Sequence, residues 1–319
     1  MRRLKKFLPP VLGLILLAAI IFELHKVLAK VGLSAILTAF VATPLWAVGG
    51  AVGVLLCSMV VMACYDLPGV LFAQRAHECP KLAFSKIGLA SFCAYALSHV
   101  LGATAITAAA IRVRFYAHWD VPASGLARII AISGTNFSLG VVSVLGALLL
   151  LDPLSVPLPF PLLTLWLRAS GLLLLLVPVF YIAAAGRFNV VRIFRRVITL
   201  PGWRVALWQI TVSCLDICVA CVILYLVVPL TPGLGYPYVL SLYVGAFVAG
   251  ALSGLPGGVG VFDSVLLLGF SDYISADSAL GAILLFRILF FLVPATLAGL
   301  TYAGHELLIY TKKDRGAAN

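Results

Sequence analysis

Six stretches of this chain, at about 7–28, 44–64, 125–151, 162–185, 204–228 and 279–306, are long, apolar and nearly free of charge. A helix needs about 20 such residues to cross the hydrocarbon of a bilayer. Lipid supplies no hydrogen bonds, so a spanning backbone must satisfy itself, as a helix does. The six stretches therefore read as spanning helices. Composition agrees: 63% of the 319 residues are apolar and 10% are charged. No water-soluble core hides that much apolar surface, which excludes a soluble globular domain and a disordered chain. The first stretch comes after Met1-Arg-Arg-Leu-Lys-Lys6 and looks like the core of a signal peptide. No small-residue cleavage site comes after it, only Phe22-Glu-Leu-His25, so it is read as an uncleaved first span.

Lysine and arginine choose among topologies, because they gather on the cytoplasmic side. Eighteen of the 22 fall in five segments: the N-terminus, 65–86, 112–128, 186–204 and the tail from 307. Loops 152–161, 229–237 and 271–278 have none. A single crossing by region 82–111 would put segments 112–128 and 186–204 outside and break the rule. If that region enters and leaves from the cytoplasmic side, all eighteen cations lie inside, and only Lys26 and Lys30 lie outside. Region 238–270, flanked by loops without Lys or Arg, enters and leaves from the outer side by the same logic.

The interruptions within these regions agree. Leu255-Pro-Gly-Gly-Val-Gly260 breaks the second, since proline removes a donor and glycine destabilises helix. The piece beyond the break, Val261 to Phe270, is about 15 Å of helix and too short to span. The first region has a softer break around Ser98-His-Val-Leu-Gly102, succeeded by Thr104 and Thr107. The fold expected is an all-α polytopic membrane protein: six full transmembrane helices plus two oppositely oriented re-entrant hairpins, 82–111 and 238–270. Simple hydropathy counts them as eight spans. One integral membrane domain covers 1–319, with a short cytoplasmic tail at 307–319 and both termini cytoplasmic. Two broken segments of opposite orientation point to an inverted repeat with a site near the midplane.

Few charged or titratable residues fall within the apolar regions. The most informative are Asp216, Asp263, Arg287, Arg168 and His99. A charge at the bilayer centre costs about 3 kcal/mol or more, so such groups face the protein interior and pair. Asp263 and Arg287 are the preferred pair, with Asp216 a second acceptor. Either they lock helices together or they organise a polar cavity for a charged headgroup. The half-helix after Gly260 presents free N–H groups at membrane depth, where they attract anions such as phosphate. Asp263 in its first turn complements the same dipole. The loop is not a nucleotide-binding glycine loop, because it lacks a succeeding Lys-Ser/Thr. Arg168, four residues into its span, is placed to snorkel to the interface.

Arg112, Arg114 and Tyr116, with Trp119, mix cations and aromatics beside an apolar run, as interfacial lipid contacts do. The turn Val191-Arg-Ile-Phe-Arg-Arg-Val197 reads as amphipathic and lying on the inner leaflet. Gly49-xxx-Gly53 and Gly250-xxx-Gly254 read as helix-packing signals. Cys214, Cys218 and Cys221 share one helical face as small packing residues, and His77-Glu-Cys79 lacks further metal ligands at the right spacing. No cofactor or metal is expected. The net charge of +11 sets topology and is not a nucleic-acid footprint.

The stretch Leu255-Pro-Gly-Gly-Val-Gly-Val-Phe-Asp-Ser264 resembles the transmembrane, flippase-like region of the bacterial lysylphosphatidylglycerol synthase/flippase family and its stand-alone inner-membrane relatives. Cys64-Tyr-Asp66, Arg112-Val-Arg-Phe-Tyr116 and Leu285-Phe-Arg-Ile-Leu-Phe-Phe-Leu-Val-Pro294 support it in the same order. The resemblance implies a lipid-translocating domain of the bacterial inner membrane. It carries over Pro256, Gly257, Gly258, Gly260, Asp263 and Arg287, with Arg112, Arg114 and Tyr116. Asp263 stands where many stand-alone relatives have Glu. The family's synthases carry a soluble aminoacyl-transfer domain that is not found before Asn319, so lipid synthesis by this chain alone is not expected.

The function expected is translocation or binding of a phospholipid or a lipid-linked substrate. Asp263, Arg287, Asp216, Pro256, Gly257, Gly258, Gly260 and His99 line the headgroup cavity in this reading. A non-transporting scaffold for envelope-lipid synthesis, with a second copy or a biosynthetic protein as partner, is the competing class. An intramembrane enzyme using His99, Asp66 or Asp216 is a third, although no catalytic constellation emerges.

Overall fold

The computed structural model describes residues 43–101, 104–156, 163–193 and 196–316. The expected first span at 7–28, Lys26, Lys30 and the last residues of the tail lie outside the described residues. The described chain is a helical membrane protein. It runs α1 (Leu45–Cys64), α2 (Leu67–Arg75), α3 (Phe84–Leu101), α4 (Thr104–His118), α5 (Ala123–Leu151) and α6 (Thr164–Arg187). It continues as α7 (Trp203–Val227), α8 (Tyr236–Leu252), α9 (Val261–Phe270), α10 (Ala276–Arg287) and α11 (Val293–Gly316). Prolines sit at helix starts, where the missing N–H has no partner to lose: Pro68 opens α2 and Pro237 opens α8.

Among the described residues, six helical stretches are long and apolar enough to cross a bilayer: Leu45–Arg75, Phe84–Leu101, Ala123–Leu151, Thr164–Arg187, Trp203–Val227 and Ala276–Ile309. Five coincide with expected spans. The other, Phe84–Leu101, is the first arm of the region read as a hairpin, and its 18 residues reach spanning length. Its successor α4 packs against it. In the second broken region α8 and α9 pack together in the same way, and both are shorter than a span.

Segment 190–199 departs from expectation. In place of an amphipathic helical turn it forms an antiparallel ribbon, β1 (Val190–Ile193) with β2 (Arg196–Thr199), pairing Val190 with Thr199 and Ile193 with Arg196. Its β-branched residues favour extended backbone.

Helix α7 lies at the centre, packed against α1, α5, α6 and α8. The span built from α10 and α11 is the most buried of the six, and α6 is the least. Arg168 is exposed one turn into α6, where its long stem reaches outward. The expected packing glycines are only partly used. A side chain at Gly49 or Gly53 would meet nothing within 4 Å. The close approach lies instead between α5 and α6, where a Cβ on Gly171 would sit 2.7 Å from the Leu150 nitrogen and 2.8 Å from the Gly146 oxygen.

That contact makes a measurable contrast. Gly171→Ala forces two backbones apart and lowers stability in detergent by about 1–3 kcal/mol. Gly49→Ala leaves the thermal midpoint unchanged or slightly raised. Equal effects from both would contradict this packing.

Candidate functional site

The break at Pro256 is built from glycine conformations. Gly257 and Gly258 both have φ of 59° and Gly260 has 90°, values that side chains resist. Residues Pro256–Gly258 form one short 3₁₀ turn before α9 begins. Asp263 closes the start of α9, its Oδ2 accepting the Gly260 N–H at 2.9 Å. Its carboxylate also receives Arg287, Nε to Oδ1 at 2.5 Å and Nη2 to Oδ2 at 3.0 Å. Arg287 spends a further N–H on the Gly257 carbonyl at 3.2 Å. Its guanidinium lies 5.2 Å from the Phe262 ring centre and 5.4 Å from that of Phe291, within cation–π range. The expected Asp263–Arg287 pair thus forms, and it clamps the broken loop onto α10.

Directly after Arg287 the backbone widens into a π-helical turn, Ile288–Leu292. Pro294 has no N–H to return to the Phe290 carbonyl, so the ordinary ladder fails there. Such turns mark functional sites in many helices. Here it lies beside the glycine loop and contributes Phe291.

The tips of both broken regions meet at one cavity of about 390 Å³. The first region contributes His99 and Thr104 to Ile106. The second contributes Gly250, Gly254, Leu255, Gly257 and Gly258, with Phe247, Phe262 and Phe291 as aromatic walls. The lining is largely apolar. His99 is its one titratable side chain among the described residues, held by its Nδ1 at 2.8 Å from the Tyr95 carbonyl. Asp263 and Arg287 do not line this cavity; Arg287 and Pro256 border a much smaller space of about 30 Å³ behind the loop. Asp216 is 2% exposed, bonded to the Tyr95 hydroxyl, and away from Arg287. It is neither the second acceptor nor a cavity residue. The saturated Asp263–Arg287 pair leaves no vacancy for it.

Of Arg112, Arg114 and Tyr116, the first and last depart from the expected interfacial placement, whereas Arg114 keeps 36% of its side chain exposed. Arg112 is 5% exposed and Tyr116 is fully buried, so neither touches lipid headgroups. Arg112 donates to both oxygens of Asp66 at 2.8 and 3.0 Å. Tyr116 (3.1 Å) and Ser133 (2.8 Å) donate to the same carboxylate. One acid between α1 and α2 thereby gathers α4 and α5. Arg114 grips Glu306 of α11 through two bonds at 2.7 and 2.5 Å. The acids win because a buried arginine without a counter-charge is costly, whereas lipid phosphate is available only at the surface.

Sequence reasoning missed both pairings, although each had a signal. Asp66 and Glu306 are acids bordering or within apolar stretches, and each needs a cation. At the base of α5, Arg128 bonds Glu78 at 2.6 and 3.2 Å and also the Thr199 hydroxyl, fixing the ribbon. Glu78 is committed to that pair. Among the described residues no group of three His, Cys, Asp or Glu is placed to hold a metal ion.

Both kinds of ion pair can be tested by stability. Arg112→Gln strands the Asp66 carboxylate and costs about 3–5 kcal/mol, while Asp66→Asn combined with Arg112→Gln costs less than the sum of the two single changes. A full sum would contradict the pairing. The Arg128 bond holds the Glu78 carboxyl below its ordinary 4.5. Its contribution is therefore present above pH 4.5 and lost as pH falls through the lowered value. Glu78→Gln accordingly flattens the acid side of the stability–pH curve in thermal denaturation, and an unchanged curve would contradict the assignment.

No family model matches the chain. It is 28% identical over 98% of its length to a protein of Synechocystis sp. named uncharacterized protein slr0712, covering 96% of that protein. It is 27% identical over 79% of its length to the inner membrane protein YbhN of Escherichia coli, covering 78% of that protein. By its helices the chain is a polytopic membrane protein, similar along most of its length to these two.

Proposed function

We propose that this protein resides in the bacterial inner membrane, as the name of YbhN states for that relative, and moves the headgroup of a phospholipid or lipid-linked substrate between leaflets. The reading rests on one observation above all: two broken helical regions, far apart in sequence, bring their tips to one cavity. Non-helical backbone at membrane depth is tolerated where it lines a cavity or is buried in protein. In this reading 82–111 dips in from the cytoplasmic face and 238–270 from the outer face. Acyl chains stay in lipid while the headgroup passes between the tips. Free N–H groups at the start of α9 meet phosphate. His99 offers the remaining polar contact. Asp263 and Arg287 hold the glycine loop open and do not bind the substrate directly. The resemblance to the flippase-like region of lysylphosphatidylglycerol synthases supports the same substrate class.

Scaffolding of an envelope-lipid synthesis complex is the competing reading, favoured by the ion pairs Asp66–Arg112, Asp263–Arg287 and Arg114–Glu306, which rigidify the bundle. The cavity separates the two. Ala251 of α8 lines it and is exposed. Ala251→Trp fills the space without touching an ion pair. Reconstituted wild type exchanges fluorescent phospholipid between leaflets, and the variant slows exchange by about tenfold or more, a barrier change of about 1.4 kcal/mol. Wild-type vesicles no faster than protein-free ones would overturn the transport reading in favour of the scaffold.

A further inference from the structure

Asp66 holds Arg112 and two hydroxyls, Asp263 holds Arg287 and a backbone N–H, and Glu306 holds Arg114. Asp216 is different. It lies mid-way along α7, 2% exposed, and no Lys, Arg or His reaches ion-pair distance of it among the described residues. Its Oδ2 accepts the Tyr95 hydroxyl, and its Oδ1 has no partner. The titratable groups around it are the phenols of Tyr65, Tyr95 and Tyr243, with Cys214 on its own helix. None is a cation. A carboxylate buried with one hydrogen bond and no counter-charge is a poor state, and a neutral carboxyl is a good one.

The same residue has a route outward. Tyr95 stacks against His99 with ring centres 4.3 Å apart, and His99 lines the cavity between the hairpin tips. The Tyr95 carbonyl accepts from His99 Nδ1, which leaves Nε2 as an acceptor. Cavity, His99, Tyr95 and Asp216 therefore form one contiguous file from the open space to the central helix.

We propose that Asp216 is a proton-exchange site that couples lipid movement to a transmembrane proton gradient. This rests on the lipid reading for its consequence and on the Asp216 geometry for the site itself. In release, the carboxyl O–H bond breaks and the proton passes to water entering from the cavity, giving hydronium and a carboxylate held by the Tyr95 hydroxyl. Uptake is the reverse. His99 Nε2 is the nearest base to receive that proton at the cavity wall.

Two measurements decide the matter. In infrared difference spectra of the purified protein at neutral pH, wild type carries a protonated-carboxyl stretch that Asp216→Asn removes, and alkaline titration discharges it. Absence of any such band assignable to Asp216 overturns the site. In vesicles with the membrane potential clamped, a gradient of about one pH unit drives about a tenfold steady-state asymmetry of lipid if one proton accompanies each lipid. Asp216→Asn loses the asymmetry and retains exchange down a lipid gradient. Wild type that moves lipid but shows no asymmetry overturns the coupling and leaves the lipid reading standing. Wild type that moves no lipid overturns the lipid reading and with it the coupling, and the infrared band alone then decides whether Asp216 is a proton site.

Discussion

Backbone that leaves the helix at membrane depth must find its hydrogen bonds inside the protein, and the Asp263–Arg287 pair meets part of that demand here. Arg287 takes both oxygens of Asp263 and the Gly257 carbonyl, while Asp263 takes the Gly260 N–H. Two side chains thereby join a loop, a half-helix and the last span. The aromatic walls Phe262 and Phe291 exclude water and lipid from the guanidinium, which strengthens every bond it makes. Without that clamp the glycine loop has no fixed shape, and the cavity beside it has no fixed wall. The pair is structural in its contacts.

Much of the frame was legible because lipid imposes a simple rule on the sequence. Long apolar runs near 44–64, 125–151, 162–185, 204–228 and 279–306 reappear as helices with ends shifted by a few residues. The break at Leu255–Gly260 was equally legible, since a proline and three glycines within six residues have no helical alternative. The Asp263–Arg287 pair was legible because the broken segment and the final span are neighbours in sequence. What the sequence left open was which acid each remaining arginine meets. Arg112 and Asp66 are 46 residues apart, and Arg114 and Glu306 are 192 apart. Such distances in sequence are closed only by tertiary packing, and a local pattern of cations and aromatics looks the same facing lipid or facing an acid. Segment 190–199 departed for another reason: it read as an amphipathic turn, and its β-branched content decided for strands.

The corrected assignments change the picture of the site. Arg112 is consumed inside the bundle by Asp66, and the part-exposed Arg114 pairs with Glu306, so both acids tie α4 to its neighbours. The cavity between the hairpin tips is left mostly apolar, with His99 and Thr104 as the polar side chains of its lining. In the proposed lipid reading, a space of that character suits a headgroup that passes through and does not stay. A tight, charged pocket would hold an anionic lipid and slow its release, whereas weak contacts distributed over backbone and one imidazole permit exchange.

The two broken regions, in the proposed topology, enter the membrane from opposite faces and return to the face they came from. Labelling of introduced cysteines by a membrane-impermeant maleimide tests this central claim in a variant lacking the seven native cysteines. Lys81→Cys and Asp120→Cys, which flank the first region, are expected to react only from the cytoplasmic side. Pro232→Cys and Asp272→Cys, which flank the second, are expected to react only from the outer side. If residues 81 and 120 label from opposite faces, or 232 and 272 do, these regions span the membrane and the proposed topology is contradicted.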